Sequence, residues 1–237
     1  MARQFVRSSS QHFSIPSVVV STTPMSFFCW VLFDSLGTRL PLVSIFNSAG
    51  GAGWILRKDQ NDKFNARTSM TASNDALSAQ TAITNRWYPV CATFKNSNNR
   101  RIYVFGTLDT AVDGTGRTPS GHNTTYLGTT RDSLEYHNGR IAEPAIWNVS
   151  LTPDEVNRLS AGQLPSTIRS GNLKGYWPLV RPGNVAFDKS GNGNHMTDSG
   201  GPIGMIKHPP LRGKDSGVVA IPPYRPQAVI LDDWNFI

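Results

Sequence analysis

The chain is short of charge, of cysteine, of glutamate and of long apolar runs. Only 16% of its 237 residues are charged, a balance that, with the turn-forming residues below, favours β structure over helices. Two cysteines, Cys29 and Cys91, exclude a disulfide-rich scaffold and a cysteine-built zinc site. Each lies inside an apolar stretch, so buried free thiols are expected rather than a disulfide. No apolar run reaches the ~20 residues of a membrane-spanning helix. The opening MARQFVRSSSQHFSIPSVVV has neither the apolar centre nor the cleavage-like end of a secretory signal. No membrane insertion is expected, and the chain reads as made in the cytoplasm without an export signal.

Catalytic chemistry has little to work with. The glutamates are Glu135, Glu143 and Glu155 alone, and none stands in an alternating strand that would aim two carboxylates at one cleft. Glu155 reads as a helix cap and Glu143 as a strand residue. His12, His122, His137, His195 and His208 lack zinc-site spacing, and no GxSxG elbow occurs. No catalytic residue and no metal site is assigned.

What is abundant points to β structure. Gly (21) and Pro (16) are frequent, and with the many Ser, Thr and Asn they favour turns between short strands. The net charge is +7, which suits an acidic partner. Arg57, Lys58, Arg100, Arg101, Arg117, Arg131 and Arg140 fall in different segments with no nucleic-acid signature, so nucleic acid is not the expected partner.

Met25 to Phe33, MSFFCWVLF, is apolar on both alternating faces and predicts a strand covered on both sides. Pro41–Phe46 and Trp54–Arg57 flank a glycine-rich loop. Residues 59–85 show alternation too faint to locate strands. WYPVCATF and RIYVFG predict a hairpin around residues 95–99, with Tyr88, Val90, Ala92 and Phe94 on one face. Residues 107–123 read as a loop, and Thr125–Thr129 and Gly139–Trp147 as strands, the second entered through the tight-turn pair Asn138-Gly139. Pro144 marks that strand as an edge or a bulge. Thr152, Pro153, Glu155 and Gly162 bracket one short helix. LKGYWPL, from Leu173, reads as a strand, 188–195 as a loop and 207–237 as an extended proline-rich arm.

Five ordered pieces carry a resemblance: PMSFFCWV, the WYPVCATF/RIYVFG hairpin, YLG at 126–128, NGRIAEPAIWNVSLTPDEVNRL at 138–159, and GYWPL with DKSGNGNH at 175–195. Together they resemble the concanavalin A-like lectin/glucanase superfamily, in its laminin-G-like and pentraxin-like jelly-roll form. The resemblance implies an all-β, antiparallel two-sheet jelly-roll sandwich over residues 1–206, with one short helix and the C-terminal arm at 207–237. Phe105 replaces the family's usual aspartate, and Pro144 an aliphatic residue, which weakens transfer of any ligand site.

Calcium is the metal such domains use, and Asp34, Asp188, Asn192 and Asn194 supply hard oxygens, but without EF-hand-like spacing plain turn chemistry is the favoured reading. Among exposed aromatics that can stack on a sugar, Trp54, Tyr126, Tyr136 and His137 are the candidates, while Trp30, Trp87, Trp147 and Trp177 read as core. The later segments also resemble those of bacteriophage structural proteins. That likeness implies a virion protein, a capsid decoration or tail-associated subunit, whose partners are other virion proteins, further copies of itself and host polysaccharide. Tyr224, Ile230, Leu231, Trp234, Phe236 and Ile237 would then make the arm an assembly element. The other reading is a soluble carbohydrate-binding module or adhesin, and a divergent glycan hydrolase ranks last.

Overall fold

The computed structural model describes residues 2–49, 51–69, 74–114, 116–130, 135–201 and 203–207. The arm residues Tyr224, Ile230, Leu231, Trp234, Phe236 and Ile237 lie outside them. In chain order the elements are β1 (Ala2–Phe5), β2 (His12–Ile15), β3 (Met25–Phe33), β4 (Leu40–Phe46), β5 (Gly53–Lys58), β6 (Lys63–Ser69), β7 (Asn74–Thr81), β8 (Trp87–Phe94), β9 (Asn99–Val104), β10 (Thr107–Asp113), β11 (Thr124–Leu127) and β12 (Gly139–Trp147). There follow α1 (Pro153–Ser160), β13 (Leu173–Tyr176), β14 (Val185–Ala186), β15 (Met196–Ser199) and β16 (Gly204–Ile206).

Two antiparallel sheets of eight strands form a jelly-roll sandwich. The first runs β10-β9-β8-β3-β12-β1-β16, with β13 also paired to β12, and the second runs β14-β15-β2-β11-β4-β5-β6-β7. The expected architecture therefore holds. Period-two alternation explains how β3 serves two cores. Phe27, Cys29, Val31 and Phe33 enter the space between the sheets. Phe28 and Trp30 point the other way, into a second apolar layer with Trp147, Leu151, Val156 and Leu159, which α1 covers. Cys29 and Cys91 are both buried free thiols, one in each layer, and so face away from each other.

The helix is built as its sequence demands. The Thr152 side chain accepts from the Glu155 backbone N–H, the Glu155 carboxylate accepts from the Thr152 N–H, and Pro153 opens the first turn. Gly162, at φ +92°, follows it.

Four expectations change. Residues 107–123 are not all loop, because β10 pairs with β9 from Thr107 to Asp113. Residues 59–85 hold two full strands, β6 and β7, with β7 at the sheet edge. Their inward positions carry small or polar residues such as Ala66, Thr68 and Ala76 beside a single Phe64, so hydrophobic contrast is low. Pro144 lies on an interior strand, and the β12–β3 register slips between Ala142 and Ala145 to accommodate it and Glu143, which sits at φ +52°. Gly139 answers to a close approach instead of a tight turn: at φ +143°, a Cβ there would lie 2.1 Å from the Leu32 carbonyl oxygen.

Candidate functional site

The outward face of the second sheet gathers the polar and aromatic groups that the core has no use for. On β6, Phe64 and Ala66 point inward, so Asn65 and Arg67 point outward. The same parity turns Trp54 and Leu56 of β5 inward and Ile55 and Arg57 outward. Registers carry the face across the sheet: Ser14 opposes Tyr126, Tyr126 opposes Ser44, Ser44 opposes Ile55, and Arg57 opposes Asn65. From β2 to β6 this band crosses four strand spacings, about 19 Å at ~4.8 Å each.

One end of the band is aromatic. The His12 ring lies 6.3 Å from Tyr126 and 5.8 Å from Tyr136, centroid to centroid. All three are half-buried. His12 Nδ1 donates to the Ser10 carbonyl at 2.9 Å, since a carbonyl can only accept, which leaves Nε2 as the acceptor of the neutral ring. Tyr136 reaches the face because its segment is held there. Ser44 Oγ donates to the Thr129 carbonyl at 2.9 Å, Thr129 Oγ1 donates to the Glu135 carbonyl at 2.9 Å, and Thr129 bridges to Tyr136.

The other end is ionic. Glu135, the chain neighbour of Tyr136, receives one contact from Arg57 and one from Arg39, each at 3.4 Å. Arg67 pairs with Asp75 at 2.9 Å. Burial, and then the charge of Arg67, hold the Arg57 guanidinium below its ordinary value, against the pull of Glu135 and Asp75. The Asn65 side chain is 1% exposed as a residue, and neither its Oδ1 nor its Nδ2 has a partner; Arg57 Nε is likewise buried and unpaired. An unmet buried polar group costs about 1–3 kcal/mol, so this end of the face stores a penalty in the folded chain.

The structure brings Tyr126 and Tyr136 together and removes two other sugar-stacking candidates. Trp54 is 1% exposed, with its ring in the inter-sheet core and 4.9 Å from His122. Strand parity decides the side, and it turns Trp54 inward. His137 has no exposed surface: its ring sits between Phe5 and Phe33, 5.7 Å from each. Burial, and then the Lys58 charge, lower its pKa to about 3; the Arg140 and Leu32 backbones oppose this without reaching good hydrogen-bond geometry. Neither ring can offer a face to a sugar. His12, Arg57, Asn65 and Glu135 were missed as members of the face, because only pairing register shows that they share a side.

The calcium candidates do turn work. Asp188 Oδ1 accepts from the Tyr176 and Ser190 backbone N–H groups, and Oδ2 from the Asn194 N–H and Ser190 Oγ, all at 2.8–2.9 Å. Asn192 and Asn194 donate through Nδ2 to the Leu173 and Lys174 carbonyls. Asp34, elsewhere, accepts from Gln4. Among the described residues no three His, Cys, Asp or Glu side chains gather to hold a metal.

A search of curated proteins returned no match. Among solved structures, a Bacteroides ovatus protein described as carbohydrate binding superposes with a TM-score of 0.61 at 18% identity, over 86% of this chain and 61% of that one. This chain thus spans about three-fifths of that protein's length. Domain 4 of a Geobacillus stearothermophilus arabinanase, in complex with arabinotriose, gives 0.54 at 20% identity over 62% and 71% of the two chains. A heptameric pentraxin from Limulus polyphemus gives 0.54 at 12% over 65% and 77%. At these identities the likeness is one of fold. A laminin-G family model, described as the concanavalin A-like lectin/glucanases superfamily, matches residues 7–157, and the chain belongs to that family.

Proposed function

We propose that this chain is a non-enzymatic glycan-binding sandwich whose ligand lies across the outward face of the second sheet. The observation that carries this reading is the trio His12, Tyr126 and Tyr136, half-buried and side by side on a polar face. Tyrosine supplies a flat apolar surface for the C–H side of a sugar ring and a hydroxyl for its rim. The solved relatives described as carbohydrate binding or bound to arabinotriose support the class of ligand.

The glutamates favour binding over hydrolysis. Glu143 accepts from the Tyr176 hydroxyl, Glu155 caps α1 and pairs with Arg169, and Glu135 is shared by two arginines. Among the described residues none stands ready as a proton donor beside a second carboxylate at this face.

A glycan array probed with the full chain, followed by calorimetry on the best hit, tests the proposal. Tyr126→Ala and Tyr136→Ala each should weaken binding by tenfold or more while the melting temperature stays near that of the parent. Undiminished binding in both variants would move the site elsewhere.

The finer setting we propose is the surface of a virion, with the sandwich outward and the arm bound to neighbouring subunits. Its support is the sequence of the arm, whose Ile230, Leu231, Trp234, Phe236 and Ile237 are residues of the buried kind. Incorporation into particles that survives removal of residues 212–237 would defeat it.

A further inference from the structure

We infer that the glycan recognised by this face is acidic, a uronic-acid polysaccharide, and that Glu135 occupies the place its carboxylate takes. The inference rests on the glycan reading above and adds the chemistry of the ligand. Among the described residues three guanidinium groups, Arg39, Arg57 and Arg67, meet two carboxylates, Glu135 and Asp75, so guanidinium groups outnumber carboxylates in these contacts.

The two carboxylates are held differently. Arg67 and Asp75 meet at 2.9 Å, within the range of a charge-assisted hydrogen bond. Glu135 touches each of its arginines once, at 3.4 Å, beyond that range. It neutralises Arg57 and Arg39 without engaging either in the bidentate geometry a guanidinium offers. Such a carboxylate can be exchanged for one that fits better.

The unpaired atoms define what fits. Arg57 and Asn65 are direct cross-strand neighbours on adjacent strands, so their side chains rise together from the sheet. Arg57 Nε and Asn65 Nδ2 are donors without acceptors, and Asn65 Oδ1 is an acceptor without a donor. These atoms are covered in the structure and come within reach only as Glu135 withdraws; a sugar carboxylate then satisfies the two donors, and a neighbouring ring hydroxyl donates to Oδ1. Tyr136, next in the chain to Glu135, then lies against the following sugar of the same strand of polysaccharide. The acidic and stacking subsites are thereby contiguous.

The test presents the full chain with polygalacturonate, alginate and hyaluronate, each beside its carboxyl-reduced or esterified counterpart, together with neutral glycans. Binding to at least one acidic form should fall tenfold or more when its carboxylates are removed, and should weaken as salt is added. Glu135→Gln should tighten binding severalfold, because it removes the resident competitor. Asn65→Leu should weaken it, with melting temperature recorded to confirm folding; Arg57→Leu should do the same where that variant folds. Equal binding to acidic and neutral forms, binding to neutral glycans alone, or weaker binding by Glu135→Gln would overturn the acidic inference and leave glycan binding standing. Binding to no glycan at all would bring down both.

Discussion

Lowering the pH from 6.5 to 5 should cost this fold about 2 kcal/mol through one residue, His137. An unfolded histidine titrates near 6.5, whereas burial and the nearby Lys58 charge hold the folded ring at about 3. Between those values the unfolded chain binds a proton that the folded chain refuses, so stability falls as pH falls. The slope approaches 1.4 kcal/mol per pH unit below pH 6, and the full gap of about 3.5 units is worth roughly 5 kcal/mol once the pH is below 3. The window from 6.5 to 5 lies above the range in which carboxylates of ordinary value protonate, and comparison with a variant separates His137 from the other histidines. Urea unfolding followed by tryptophan fluorescence at pH 7, 6.5, 6, 5.5 and 5 measures the slope. His137→Gln places a neutral side chain there and should flatten the curve over this window even if it lowers stability at pH 7. Parallel curves for parent and variant would refute the assignment, and with it the view that the ring stays uncharged in the folded core.

Other perturbations are simpler to read. Both thiols are fully buried and pushed well above their ordinary range by burial, so a thiol-reactive dye should label neither Cys29 nor Cys91 in the folded chain and both in denaturant; rapid labelling of one without unfolding would contradict the two-layer packing. Gly139→Ala should destabilise by more than ~2 kcal/mol, since the added methyl meets the Leu32 carbonyl at 2.1 Å, and a melting curve within a degree of the parent would show that the strand entry can shift. A chelator should leave the melting temperature unchanged, because all four contacts to Asp188 come from its own loop and β13; a clear fall would return calcium to that loop.

Legibility followed hydrophobic contrast. MSFFCWVLF could be read as a strand buried on both sides because every position is apolar, and the capping box at Thr152 because each of its parts is local. The strands β6 and β7 could not, since Ala66, Thr68 and Ala76 fill the core beneath them without marking it. Pro144 signalled a bulge correctly but gave no hint that the strand is interior. The candidate face shows the same division. Tyr126 and Tyr136 are visible as aromatics outside the core pattern, but Arg57, Asn65 and Glu135 become neighbours only through pairings between β5 and β6 and a loop held by Ser44. Trp54 and His137 mislead for a related reason: side-chain type suggests a stacking surface, and one residue of parity or one loop insertion removes it.

The order of strands also dictates how this chain must fold in time. The runs β4-β5-β6-β7 and β8-β9-β10 are meanders whose neighbours are consecutive, so each needs only short loops to close. By contrast β1 waits for β12 and β16, and β2 waits for β11 and β15, partners separated from them by about half the chain or more. Closing such distances is slow. A ribosome-bound chain would hold two finished meanders while the strands that join them, including the one bearing His12, still lacked partners. The aromatic end of the face is thus the last part of the second sheet to be assembled, and binding competence should report completion of the fold rather than its onset.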